Sequence, residues 1–154
     1  MAIKVKVEGF RELDKALQQL KVATAKNVAR RVLMKAAEPI AEDMRARAPD
    51  DPDTGGNDLK SSIGVGTKLT KRQSKANKRE SPVEVFVGAG GVPQAHLQEF
   101  GTEHHVAQPF ARPAWDAGKS QALETIRDEL TIEIGKAATR AARKAARDAR
   151  KMGG

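Results

Sequence analysis

The sequence predicts an α+β domain: a small antiparallel sheet with a long hairpin, packed against a long N-terminal helix and a C-terminal helix. Three observations carry this. Apolar residues alternate at 3–7 and again at 82–88; they recur with a helical period from Phe10 to Met44 and from Leu123 to Ile134; and 154 residues suffice for one hydrophobic core. Aromatics make up only 3% and tyrosine is absent, so the core is expected to consist of Val, Leu, Ile and Ala. A core of that kind gains stability by association with copies of itself.

The first element is Ile3-Lys4-Val5-Lys6-Val7, a strand with one dry face that Glu8-Gly9 ends. Phe10, Leu13, Leu17 and Leu20 then set a helical period, and after a softer stretch at 23–26 it continues through Val28, Val32, Leu33, Ala36, Ile40 and Met44. Pro39 lies inside this pattern and predicts a kink or break, because proline removes an amide donor and crowds the preceding turn. Ala48-Pro49 closes the helical region, and residues 50–58 (DDPDTGGND) form a turn-rich loop. Strands are expected over 59–69 and 82–88, with the basic stretch between them as a hairpin tip that is mobile or ordered only by a partner. A short helix over 93–100 follows the glycine-rich turn at 88–91, and a final helix is expected from about Ala114. The division this implies is one domain over 1–135 and a basic Ala/Arg/Lys-rich tail over 136–154, helical by propensity but without a stripe to bury.

The segment Leu97–Trp115 (LQEFGTEHHVAQPFARPAW) breaks every simple period. Gly101 suits a helix end with positive φ, while Pro109 and Pro113 fix their own φ and push Gln108 and Arg112 towards extended backbone. Phe110 and Trp115 are the expected anchors of a stiff connector. Arg112, between them, is equally suited to bracing against Glu99 and to meeting an acid on a neighbouring subunit.

The pieces Glu99-Phe100-Gly101-Thr102 and Pro109-Phe110-Ala111-Arg112-Pro113-Ala114 resemble the EFGT and PFxRPA signatures of a tailed-bacteriophage family. Its members are minor tail or head–tail neck components, typified by the tenth-gene product of phage HK97. Ala48-Pro49, Thr54-Gly55, Leu59 and Ser61-Ser62-Ile63 are similar to its AP…TG.L..SI stretch, and Val85-Phe86-Val87-Gly88 to the strand before EFGT. Gly56, Asn57 and Asp58 lengthen the Thr-Gly to Leu step, and Ala95-His96 stands where the family often places an aromatic residue. The four pieces occur in the family's order over about residues 5–120.

This resemblance implies a structural virion protein of a long-tailed phage or prophage, acting at the neck or in tail completion. It further implies a homo-oligomeric ring, six-fold like the tail, with double-stranded DNA in its lumen. Neighbouring head-connector and tail-terminator or tail-tube proteins would be its partners, in the virion and in the host cytoplasm during assembly. Thr54, Gly55, Leu59, Ser62 and Ile63, with Glu99, Phe100, Gly101, Thr102, Pro109, Phe110, Arg112, Pro113 and Trp115, are the expected structural or subunit-interface residues.

The net charge is +8, and two segments carry the excess. Lys68, Lys71, Arg72, Lys75, Lys78 and Arg79 occupy the hairpin tip; Lys136, Arg140, Arg143, Lys144, Arg147, Arg150 and Lys151 occupy the tail against Asp148 alone. Both are candidates for contact with DNA phosphates or an acidic protein, and no aromatic residue interleaves them to stack on bases. A nonspecific nucleic-acid-binding protein is therefore the alternative reading. No cysteine means no disulfide and no thiolate metal site, and no run of about 18 apolar residues is present to span a membrane. Lys4, Lys6 and Glu8 interrupt what a signal peptide would need as its apolar core.

No cofactor is expected. His104-His105, placed on an extended connector, would point to opposite sides and not share a metal. Gly-Val-Gly-Thr-Lys at 64–68 and the glycines at 88–91 lack the pattern of a phosphate loop. An enzyme pairing Glu99 with His96 or His104 is the weakest reading, and the expectation is a non-enzymatic protein.

Overall fold

The structure, a computed structural model, describes residues 10–49, 53 and 59–154. The alternating segment 3–7 and the Thr54-Gly55 step lie outside the described residues. Among those described, the order is α1 (Phe10–Gln18), α2 (Val22–Arg47), α3 (Leu59–Ser62), β1 (Ile63–Gly66), α4 (Lys71–Ala76), β2 (Phe86–Ala89), α5 (Gln94–Phe100) and α6 (Ala111–Met152).

The first helical pattern is two helices. The chain leaves helix at 19–21, where the Leu20 N–H donates to Leu17 O at 3.2 Å, and not at 23–26. Pro39 does not break α2, contrary to the expectation from its missing donor. It lies on the exposed side, as does Lys35, the residue whose carbonyl the proline leaves without its helical donor. On the other side Ala36, Ile40, Ala41 and Met44 are buried and hold the helix on both sides of the proline.

β1 and β2 form a two-stranded antiparallel sheet, with Ile63 opposite Ala89 and Gly66 opposite Phe86. Both strands are shorter than expected, for local reasons. Before β1, buried Leu59 starts a helical turn that the Ser62 hydroxyl closes by donating to Leu59 O at 2.7 Å. Before β2, the Glu84 carboxylate accepts from the N–H groups of Glu80 and Ser81 at 2.8 and 3.3 Å and bends the chain until Phe86. The basic tip carries order of its own: Thr70 and Gln73 form a capping box that starts α4, so no partner is needed to shape it.

α2 and α6 run antiparallel, since Arg31 meets Glu133 and Lys35 meets Glu129, both at 2.6 Å, while Ile40 lies against Gly118. A Cβ on Gly118 would stand 2.7 Å from Ile40 Cγ1, so the absent side chain sets how closely the helices approach. Two apolar clusters fill this pair. Near the sheet, Ile40, Ala41, Met44, Ala48, Leu59, Ile63, Phe110 and Ala114 pack together; farther along, Val28, Val32 and Ile134 pack with Leu13, Leu17, Leu20, Ile126 and Leu130. Beyond Ala137 every residue of α6 is exposed.

Candidate functional site

The irregular segment forms an elbow built on one carboxylate. Gly101, at φ 74°, ends α5 with its N–H on Leu97 O, and a Cβ there would lie 2.8 Å from Ala107 N. Residues 102–105 are a tight turn, bridged from Thr102 N to His105 O at 2.8 Å, and not the expected extended connector. Gln108 N then donates to Gln98 O at 2.7 Å, which returns the chain to the end of α5.

At that point Glu99, 5% exposed, caps α6. Its Oε2 accepts from Phe110 N and Ala111 N at 2.8 and 2.9 Å, and its Oε1 from Arg112 N and Arg112 Nε, both at 3.0 Å. A helix leaves its first four amides without intrahelical partners. Here three of the four donate to Glu99 and the fourth residue is Pro113, which has no N–H to satisfy. That accounts for α6 starting at Ala111, three residues earlier than expected, with Arg112 helical instead of extended. Burial opposes ionisation of Glu99, but the amides of Ala111, Arg112 and Phe110 and the Arg112 guanidinium outweigh it and hold its pKa below the usual value.

Arg112 is thus an intrachain brace: Nη2 also reaches Glu99 O at 3.2 Å, and its guanidinium lies 4.8 Å from the Phe100 ring centroid. His96 covers Phe100 at 4.9 Å. The two expected anchors separate. Phe110 is 1% exposed at the centre of the core, whereas Trp115 is 50% exposed. With Leu97 at 46%, Phe100 at 56% and Val106 at 84%, Trp115 leaves large apolar side chains in solvent on and beside the elbow. Arg112 and Trp115 also edge a groove of about 770 Å³ over the sheet, in which Met44, Val65, Val87 and Ala89 meet Leu69 and Phe86.

Each Glu99 oxygen already accepts two N–H groups, so neither is presented to His96 or His104, and the acid/base pairing falls away. The contact of His105 is to Gln98 Oε1 at 3.2 Å. Among the described residues no cluster of His, Asp and Glu has the geometry to hold a metal.

Of the remaining expected residues, Leu59 and Ile63 are core, and Ser62 O accepts from Gly90 N at 3.0 Å. Pro109 and Thr102 are exposed parts of the elbow. Of the tip cations, Lys71, Arg72 and Lys75 are exposed on α4 and Lys78 just after it, Lys68 lines the groove, and Arg79 donates to the carbonyls of Ser81 and Pro82 at 3.0 and 2.6 Å. The tail cations from Arg140 to Lys151 are all exposed on α6. Sequence reasoning missed Gly118, which meets Ile40 across a long separation, and Gln98, which meets His105 and Gln108 within the elbow. It also missed Thr70-Gln73, whose capping-box spacing was there to be found.

A family model described as "Bacteriophage HK97-gp10, putative tail-component" matches residues 11–101, more than half of the chain. The match runs from α1 to the glycine that ends α5. No curated protein and no solved structure matches the chain.

Proposed function

The chain belongs to the HK97-gp10-like family of bacteriophage tail components and is a phage structural protein, and from that premise we propose that it builds a ring at the head–tail junction. The ring is six-fold, completes the neck or tail between the head connector and the tail terminator or tube, and lets double-stranded DNA pass through its lumen. Assembly takes place in the host cytoplasm.

One observation carries this reading. Leu97, Phe100 and Trp115 are half exposed on an elbow that Glu99 and Arg112 lock in place. A monomer gains nothing by fixing large apolar groups in water, whereas an assembly gains preorganised anchors for a neighbouring subunit. The elbow then acts as a joint, with α2, α6 and the sheet as its rigid support.

The double variant Leu97→Glu, Trp115→Glu tests it, because both side chains are about half exposed and neither belongs to the buried core clusters. The variant is expected to keep its helical circular dichroism and melting temperature, to lose ring formation in sedimentation and electron microscopy, and to leave heads and tails unjoined when supplied to a phage lacking this gene. Normally joined particles from the variant would overturn the proposal. The rival reading, nucleic-acid binding alone, rests on the cations of the basic stretch 68–79 together with those of the tail and requires no ring at all.

A further inference from the structure

The end of α6 carries a feature that the linear sequence hides. Lys136, Arg140, Arg143, Lys144, Arg147, Arg150 and Lys151 are seven cations on an unbroken helix. At about 100° per residue their positions fall within an arc of roughly 120°, and no other non-glycine residue from 136 to 152 falls inside that arc. The stripe is about 22 Å long at about 1.5 Å per residue. Ala138, Ala141, Ala142, Ala145, Ala149 and Met152 occupy the opposite side, and Asp148 sits just outside the basic edge.

Beyond Lys136, these charges have no side-chain partner among the described residues. Lys136 makes an ion pair with Glu133 at 3.4 Å, but none of the six cations from Arg140 to Lys151 has an ion pair or side-chain hydrogen bond there. They are not needed to hold the helix to the body, since the last buried residue is Ala137.

We infer that this stripe is a sequence-independent contact for the backbone of duplex DNA. A docking face for a protein partner needs an apolar centre that can be dried, and such faces are poor in lysine. This arc holds only Lys and Arg, with no apolar or aromatic side chain to form a dry centre. Phosphates present a regular line of negative charge and require no pocket, which is what a rigid row of cations one helical turn apart can meet. The assignment deepens the reading of the ring by naming what the projecting helix ends touch, and it fails independently of ring formation.

The test uses the full chain, a fluorescein-labelled duplex of mixed sequence and fluorescence anisotropy across a salt series. Each phosphate neutralised contributes about 0.9 to the slope of log affinity against log salt, so the whole stripe gives a slope of up to about −6. The decisive variant exchanges positions without changing composition: Ala142→Arg, Arg143→Ala, Ala146→Arg and Arg147→Ala. It moves two cations off the stripe while net charge and helix propensity stay constant. The slope is expected to become shallower by about 2, with circular dichroism unchanged. A parallel variant in α4, Lys71→Gln, Arg72→Gln and Lys75→Gln, is expected to keep the parent slope. Equal slopes for the parent and the exchanged variant would show that net charge alone acts, and would overturn the stripe. So would loss of the slope in the α4 variant, no duplex binding at low salt, or tighter binding to polyglutamate than to duplex. Lost DNA affinity in particles that still form rings would confirm the stripe separately from assembly, and rings failing while DNA binding persists would remove only the ring.

Discussion

The two ends of α6 are made of the same secondary structure and are held in opposite ways. Its first turn is fixed from outside, by a carboxylate eleven to thirteen residues earlier that accepts three backbone amides and one guanidinium N–H. Phe110 and Ala114 are then buried against α2 and the sheet. Every residue of its last four turns is exposed. There the helix rests on alanine and arginine, which lose little entropy on becoming helical. The start of the helix is therefore a tertiary event and its end a local one, and perturbations should register globally at one and locally at the other.

The largest contrast is expected for Phe110→Ala, which removes the largest fully buried side chain and should lower the stability by about 3–5 kcal/mol in urea titration. An effect below about 1 kcal/mol would mean the elbow is not anchored through the core. Next, Glu99→Gln keeps the shape of the cap but loses its charge and one acceptor oxygen, and should destabilise by about 2–3 kcal/mol. The pH dependence identifies the mechanism. Because the folded pKa of Glu99 lies below its unfolded value, its contribution is full above the unfolded pKa and fades as pH falls through the folded one. The stability gap between parent and Glu99→Gln should therefore narrow on acidification from about pH 6 to pH 3. A constant gap would point to packing instead of charge.

Smaller still, Gly118→Ala forces a methyl group against Ile40 and should cost about 1–3 kcal/mol through overpacking. A stabilising effect, as the helix propensity of alanine alone would give, would mean that the α2–α6 contact yields easily. At the other end, Ala145→Gly should leave the melting temperature unchanged and weaken the helix locally by about 1 kcal/mol. Amide exchange confined to the last turns of α6 would show this. A shift of the whole melting curve would join the tail to the cooperative unit and abolish the contrast between the two ends.

The elements were legible in the sequence to different depths. The stripes Val28, Val32, Ile40, Met44 and Ile126, Leu130, Ile134 located both long helices, since a period is a local property that burial only has to use. The helix end at Gly101 was readable because only a positive φ asks for glycine there. The strands were overextended because Ser62 and Glu84 capture backbone groups beside them, and Pro39 was overweighted because its cost depends on which side of α2 it faces. The candidate site was visible as an irregular segment, but the roles inside it were not. Nothing in Phe110 and Trp115 as residue types distinguishes the one that is buried from the one left in water.

By itself the amino-acid order determined the apolar stripes of the two long helices, that two segments carry the charge, and the resemblance to the phage tail family whose model matches residues 11–101. Only the tertiary structure decided that Glu99 is a helix cap, that Arg112 braces it, and that Phe110 is buried while Trp115 is half exposed. The reason is range. Periodicity and charge are summed over neighbours along the chain, whereas a cap, a close helix approach and an exposed anchor exist only when residues far apart in sequence arrive within hydrogen-bond or van der Waals distance.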